Sequence, residues 1–241
     1  MRGLYNKTFL VILVGTINLF MSSCEEEEPI GLDSWGRMSK HLVTGYVFPE
    51  KMDIYCEYDS SCVMFYPKPN GLVVGHELGT MHEFEDLSED ELFRRSRMFD
   101  SMAVVYKDTS YNGIVPIGNG GYWALAYPID SILIVSDIDY DLNHPAGVNL
   151  ADVVNIQGDS FGDCVLSGYQ NTKIGIGYAD KRSVSDLTQA NLTLFGANSH
   201  GPYTAGRFTI PQTSHPQDCQ LTVTYLFSNG LKLSASAQVK L

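Results

Sequence analysis

HELGTMHE, residues 76–83, sets two imidazoles and two carboxylates in one short stretch. Zinc hydrolysis on a helix needs histidines four apart, as in HExxH, so that both reach the ion from one face. His76 and His82 are six apart with Gly79 between them, a spacing that suits a polar loop or edge strand better than a metal site. DIDYDLN, residues 137–143, places Asp137, Asp139, Asp141 and Asn143 at alternate positions, like the first half of a calcium loop. An EF-hand also needs Gly at its sixth position and Glu at its twelfth, and Leu142 and Val148 stand there. These four residues are a calcium candidate set against a simpler role, capping backbone groups at a strand end. GNGGYW, residues 118–123, offers Tyr122 and Trp123 as faces for stacking on a sugar ring. The apolar alternation around Trp123 argues instead for a place in the core. No GxSxG elbow occurs, and the 28 acidic residues single out no catalytic pair. No catalytic residue, resident metal or cofactor is selected.

Cysteine is the next reactive type, at Cys24, Cys56, Cys62, Cys164 and Cys219. Cys24 follows a basic head (Arg2, Lys7), the apolar run TFLVILVGTINLF and two serines, the layout of a secretory signal. That run is short of the roughly 20 residues a spanning helix needs. MSSC resembles the lipobox of bacterial lipoproteins, with Met21 where that family prefers Leu. The resemblance implies that Cys24 is acylated and begins the mature chain. Stable anchoring takes more than one acyl chain, which a di- or triacylated cysteine supplies. The tetrad Glu25, Glu26, Glu27 and Glu28 keeps the segment beside the anchor hydrated. It also resembles the surface-export signal of Bacteroidota lipoproteins, which implies an outer-membrane location facing the cell exterior. YPIDSILIVSDIDYDLNHPAGVNLADVV, residues 127–154, and the terminal hairpin are similar to uncharacterised lipoproteins of gut Bacteroidota. That likeness implies a secreted, mainly β protein and carries over no catalytic residue.

Four cysteines remain for an exported domain. Even parity suggests disulfides. Cys56 and Cys62 flank the polar connection EYDSS, which would bring them together across a hairpin. The expected pairs are therefore Cys56–Cys62 and Cys164–Cys219, with four free thiols as the rival reading.

The elements that must position these residues read as follows. Residues 1–23 form the signal peptide, 24–40 an acidic tether, and 41–241 a mainly β domain with a conceivable division near 100–125. Strands are expected near 43–48, 52–57 and 62–66, closed by KPNG as a turn. Ser88 with Glu91 makes a capping box and Leu87 with Leu92 a staple, which predicts a helix over 89–98. SMAVVYKD, GGYWALAYP, SILIVSD, TKIGIGYA, ANLTLFG and GRFTIPQ read as strands. NLADVV reads as a helical turn or two. CQLTVTYLFSNGLKLSASAQVKL reads as two alternating strands about Asn229-Gly230, the strongest short hairpin signal in the chain. The pattern predicts an antiparallel β-sandwich, immunoglobulin-like or similar, with one or two short helices.

Composition narrows the partners. The 241-residue chain has 16 Lys+Arg against 28 Asp+Glu, a formal charge of −12. Nucleic-acid binding needs clustered cations and is excluded as the main role. The favoured function is non-catalytic binding or a structural role, with a glycan or an envelope protein as partner and the membrane reached through lipid on Cys24. A hydrolase on a β scaffold and a subunit of a surface fibre are the alternatives.

Overall fold

The computed structural model describes residues 36–241 apart from 60, 76–85, 117–120, 179–180 and 198–203. Cys24, Glu25–Glu28, His76, His82 and the glycines of GNGG at 118 and 120 lie outside the described residues. Strand accounts for 46% and helix for 16%, so the domain is mainly β.

The longest element is a hairpin of β2 (Gly45–Asp59) and β3 (Cys62–Gly75), paired from Gly45↔Gly75 to Asp59↔Cys62. The two strands expected over 43–57 are one strand, with a register shift between Pro49 and Lys51. KPNG does not close β3 but continues it, because Lys68 and Asn70 find partners in Asp53 and Lys51. The hairpin supplies the second and third strands of a six-stranded sheet with the order β5-β2-β3-β9-β7-β8. Its other members are β5 (Trp123–Leu125), β7 (Asn155–Asp159), β8 (Gly175–Ile176) and β9 (Arg207–Pro211). β5 runs parallel to β2, so the sheet is mixed and the expectation of wholly antiparallel pairing is corrected. Gly45 is what permits that neighbour: a Cβ there would lie 2.2 Å from the Trp123 ring. The indole packs on bare backbone, and Trp123 is only 3% exposed.

A three-stranded antiparallel sheet has the order β11-β10-β6, from β6 (Ile129–Ser136), β10 (Asp218–Phe227) and β11 (Lys232–Lys240). Alternation along β10 buries Cys219, Leu221, Val223, Tyr225 and Phe227. Its other face pairs Thr222 with Ser236 at 2.7 Å and Thr224 with Ser234 at 2.8 Å, cross-strand bonds of the kind that contribute about 0.2–1 kcal/mol each. The turn expected at Asn229-Gly230 is present, with Gly230 at φ 85° where an L side chain is strained. One apolar cluster joins side chains of both sheets, among them Val63, Phe65, Phe208 and Ile210 with Ile134, Val223 and Tyr225.

A second cluster lies under the main helix, α1 (Glu89–Tyr106). Ser88 caps it as expected, its Oγ accepting the Glu91 amide at 3.3 Å. Arg95 ties the helix to β3 through the Val73 carbonyl at 3.0 Å. The helix runs eight residues beyond the sequence expectation and absorbs most of SMAVVYKD, read as a strand. Phe99, Ala103 and Tyr106 are buried at a helical spacing, while Val104 and Val105, which suggested a strand, are 65% and 68% exposed. ANLTLFG is likewise no strand: it holds the short helix α3 (Gln189–Leu192) and bridge residues, following α2 (Gly162–Leu166). β1 (Gly36–Ser39) and β4 (Gly113–Pro116) form a small separate pair. The stretch 100–125 therefore contains the end of α1, β4 and β5, and β5 belongs to the same sheet as β2.

The disulfide expectation is overturned: Cys56, Cys62, Cys164 and Cys219 are all free thiols. The register explains the first pair. Cys56 stands opposite Phe65 and Cys62 opposite Asp59, an offset of three rungs or roughly 10 Å along the strand. An odd offset also sends the two side chains to opposite faces. The second pair is divided between clusters, Cys164 packing beneath α1 and Cys219 between the two sheets. Burial pushes the Cys56 thiol up to about 11, so it is neutral and unreactive at neutral pH.

Candidate functional site

Strand alternation builds a polar strip on the face of the six-stranded sheet opposite its apolar core. In β9, Phe208 and Ile210 are buried while Arg207 and Thr209 point the other way. Registers align Thr209 with Met64 of β3 and Asn155 of β7, and Arg207 with Gln157. A cleft of about 450 Å³ opens there, lined by Ser61, Asn155, Gln157, Lys181, Arg207 and Thr209. Two strands, the β2–β3 turn and one loop thus contribute side chains that are far apart in sequence.

Arg207 is the centre of this strip. Its Nη2 donates to Gln157 Oε1, while its Nε is buried and has no hydrogen-bond partner among the described residues. An unpaired buried donor costs about 1–3 kcal/mol. On the other side stands Tyr66, whose hydroxyl donates to Glu57 Oε2 at 3.0 Å. Tyr55 donates to the other carboxylate oxygen of Glu57 at 3.3 Å, and the two tyrosine rings lie 5.8 Å apart. Burial and the Glu57 carboxylate raise the Tyr66 phenol, and Arg207 opposes the rise. At the other end, burial and Asp159 push Tyr178 up to about 12, again against Arg207. Tyr55 and Tyr178 are 60% and 49% exposed. The arrangement gives aromatic faces, amide and hydroxyl groups, and two cations. It suits recognition of a polar, polyhydroxylated molecule.

The residues singled out in the sequence lie elsewhere. Trp123 is in the apolar core, and Tyr122 packs on Phe161 at 5.4 Å. The aspartates of DIDYDLN hold backbone. Asp137 accepts the Gln220 amide at 2.7 Å, Asp139 the Ala146 amide at 2.8 Å, and Asp141 the amides of Asn143 and His144 at 2.8 and 2.9 Å. Asn143 sits in the turn these bonds close. Among the described residues no group of three or more His, Cys, Asp or Glu is arranged to hold a metal.

His144, next to that motif, belongs to a clasp the sequence did not suggest. Its Nδ1 meets Asp141 Oδ1 at 2.7 Å and its Nε2 meets Asp152 Oδ1 at 3.0 Å. Hydrogen bonds to Asp141 and Asp152 raise the imidazole and so favour the cation. With both nitrogens engaged, neither is free to take a proton from a nucleophile, and the clasp closes the loop between β6 and β7.

Asp108 is a fully buried carboxylate just past α1. It accepts the amides of Leu42 at 2.8 Å and Val43 at 2.9 Å, and the Tyr169 hydroxyl at 2.8 Å. These bonds fasten the segment entering β2 to the helix end. They leave no room for substrate at the carboxylate, so its role is structural. No family model, curated protein or solved structure matches this chain.

Proposed function

We propose that the chain is a lipoprotein displayed on the outer face of the outer membrane, whose β domain binds a glycan without turning it over. The observation that carries the binding part is the cleft over β3, β9 and β7, where Arg207, Gln157, Asn155 and Thr209 stand beside exposed tyrosines. The absence of turnover is supported by a carboxylate on the same face of the sheet. Glu57 is held by two phenols, an arrangement for fixing rings rather than for moving a proton to a leaving group. The anchor rests on MSSC and the tetrad Glu25–Glu28. The three-stranded sheet and the six-stranded sheet are read as the two layers of a β-sandwich, immunoglobulin-like in its use of a rigid core to carry a binding face.

Two experiments test the two halves. Cys24→Ala should release the protein from the membrane fraction, and a variant still firmly bound would remove the anchor. Exchange of Glu25–Glu28 for Gln should leave the protein shielded from protease on intact cells. Unchanged protease sensitivity would contradict outward display. For binding, the full lipoprotein in detergent is screened against neutral and acidic polysaccharides for retention and for released fragments. Retention without fragments is the expected result. Fragment release above the background of a heat-denatured control would make the protein a hydrolase.

A further inference from the structure

We infer that the cleft is selective for a sugar that carries a carboxylate, which Arg207 and Lys181 receive. The inference rests on the glycan reading above and specifies its ligand. In a chain of formal charge −12, one cleft gathers two cations, Arg207 and Lys181. Unlike Arg94 and Arg95, each 2.7 Å from Glu91, neither is ion-paired with a carboxylate among the described residues.

Geometry adds to charge. The guanidinium presents five N–H donors in a planar fork, matched to the two oxygens of a carboxylate. Gln157 accepts from Nη2, which leaves other donors of the fork for a ligand. Two acids share this face, and tyrosines engage both: Glu57 accepts the Tyr66 hydroxyl, and Asp159 acts on Tyr178. A neutral sugar would leave both cations with water or with weak hydroxyl acceptors. A uronic-acid unit would place its carboxylate against both cations, and its ring would lie among Asn155, Gln157 and Thr209. Tyr178 and Tyr55, exposed at the two ends, would flank the neighbouring units of a chain. A cavity of about 450 Å³ accommodates one or two sugar units.

The test uses the full lipoprotein in detergent and isothermal titration with three probes: oligogalacturonides, the same oligomers as methyl esters, and neutral galacto-oligosaccharides. The acidic oligomers should bind, and esterification should weaken them by about tenfold or more, the loss expected for one charge-assisted contact. Arg207→Gln and Lys181→Gln should each lower affinity for the acid form by a larger factor than for the ester, so that the preference for acid over ester narrows. Equal binding of acid and ester would overturn the carboxylate inference while sustaining the glycan reading. Binding of none of the three, nor of any polysaccharide in the wider screen, would overturn both. The ester comparison needs no variant, so poor folding of Arg207→Gln leaves the inference open to refutation.

Discussion

Replacing Asp108 with Ala should remove a large share of the domain's stability. The carboxylate is 0% exposed and accepts three hydrogen bonds, two of them from buried backbone amides. Tyr169 is half-buried and can turn to water, so its loss is the cheapest. The Leu42 and Val43 amides cannot follow, because both residues are buried at the entry to β2. Each stranded donor costs about 1–3 kcal/mol. The charge removed had itself been desolvated, which returns part of that amount. The expected net loss is about 3–5 kcal/mol. Urea unfolding followed by circular dichroism measures it; with a slope of about 2 kcal/mol per molar, the midpoint should fall by roughly 2 M. Asp108→Asn keeps one acceptor and points a donor at the other amide, so it should lose a comparable amount despite its matched shape. A loss below about 1 kcal/mol for both variants would refute the reasoning, by showing that water or a shifted backbone satisfies the amides.

Trp123→Ala should lose about 3–5 kcal/mol in the same assay, as large core truncations do; a fully stable variant would take the indole out of the core. Mass spectrometry under non-reducing conditions should find Cys56, Cys62, Cys164 and Cys219 all alkylatable after unfolding, and a dithiol should leave the melting temperature unchanged. A mass lower by two hydrogens would restore a disulfide. The imidazole of His144, followed by NMR, should titrate above its ordinary value, and Asp141→Asn should bring it down. Because its folded value is raised, the clasp contributes fully below the ordinary histidine value and is lost as pH rises through the folded one. Asp141 is shifted down by the same histidine, so the contribution also fades as acid protonates that carboxylate. Stability that is flat from mildly acid to alkaline pH in the wild type and in Asp141→Asn alike would remove the clasp.

What could be read from the sequence was local. The Ser88 cap and the Asn229-Gly230 hairpin depend on residues within a few positions, and both are where the sequence puts them. The end of α1 is not legible locally, because Val104 and Val105 outweigh the spacing of Phe99, Ala103 and Tyr106. Which of the two patterns won depended on a sheet waiting to bury one face. The cysteine pairing failed on register, a property of two strands together. The cleft was out of reach for the same reason. RFTIP showed that Arg207 and Thr209 share a face, yet nothing local said that Gln157 and Asn155 would lie beside them. DIDYDLN suggests an ion, whereas the loop it opens is closed by His144, whose second partner, Asp152, comes eight residues later.

The central claim is that the strip across β3, β9 and β7 is where a glycan binds. Backbone NMR shifts of the ¹⁵N-labelled protein, titrated with oligogalacturonides, locate the contact directly. The account predicts shifts that saturate together and cluster at Asn155, Gln157, Lys181, Arg207 and Thr209. Saturating shifts gathered at another surface, such as the His144 loop or the exposed side of α1, or no shifts with any glycan offered, would contradict it.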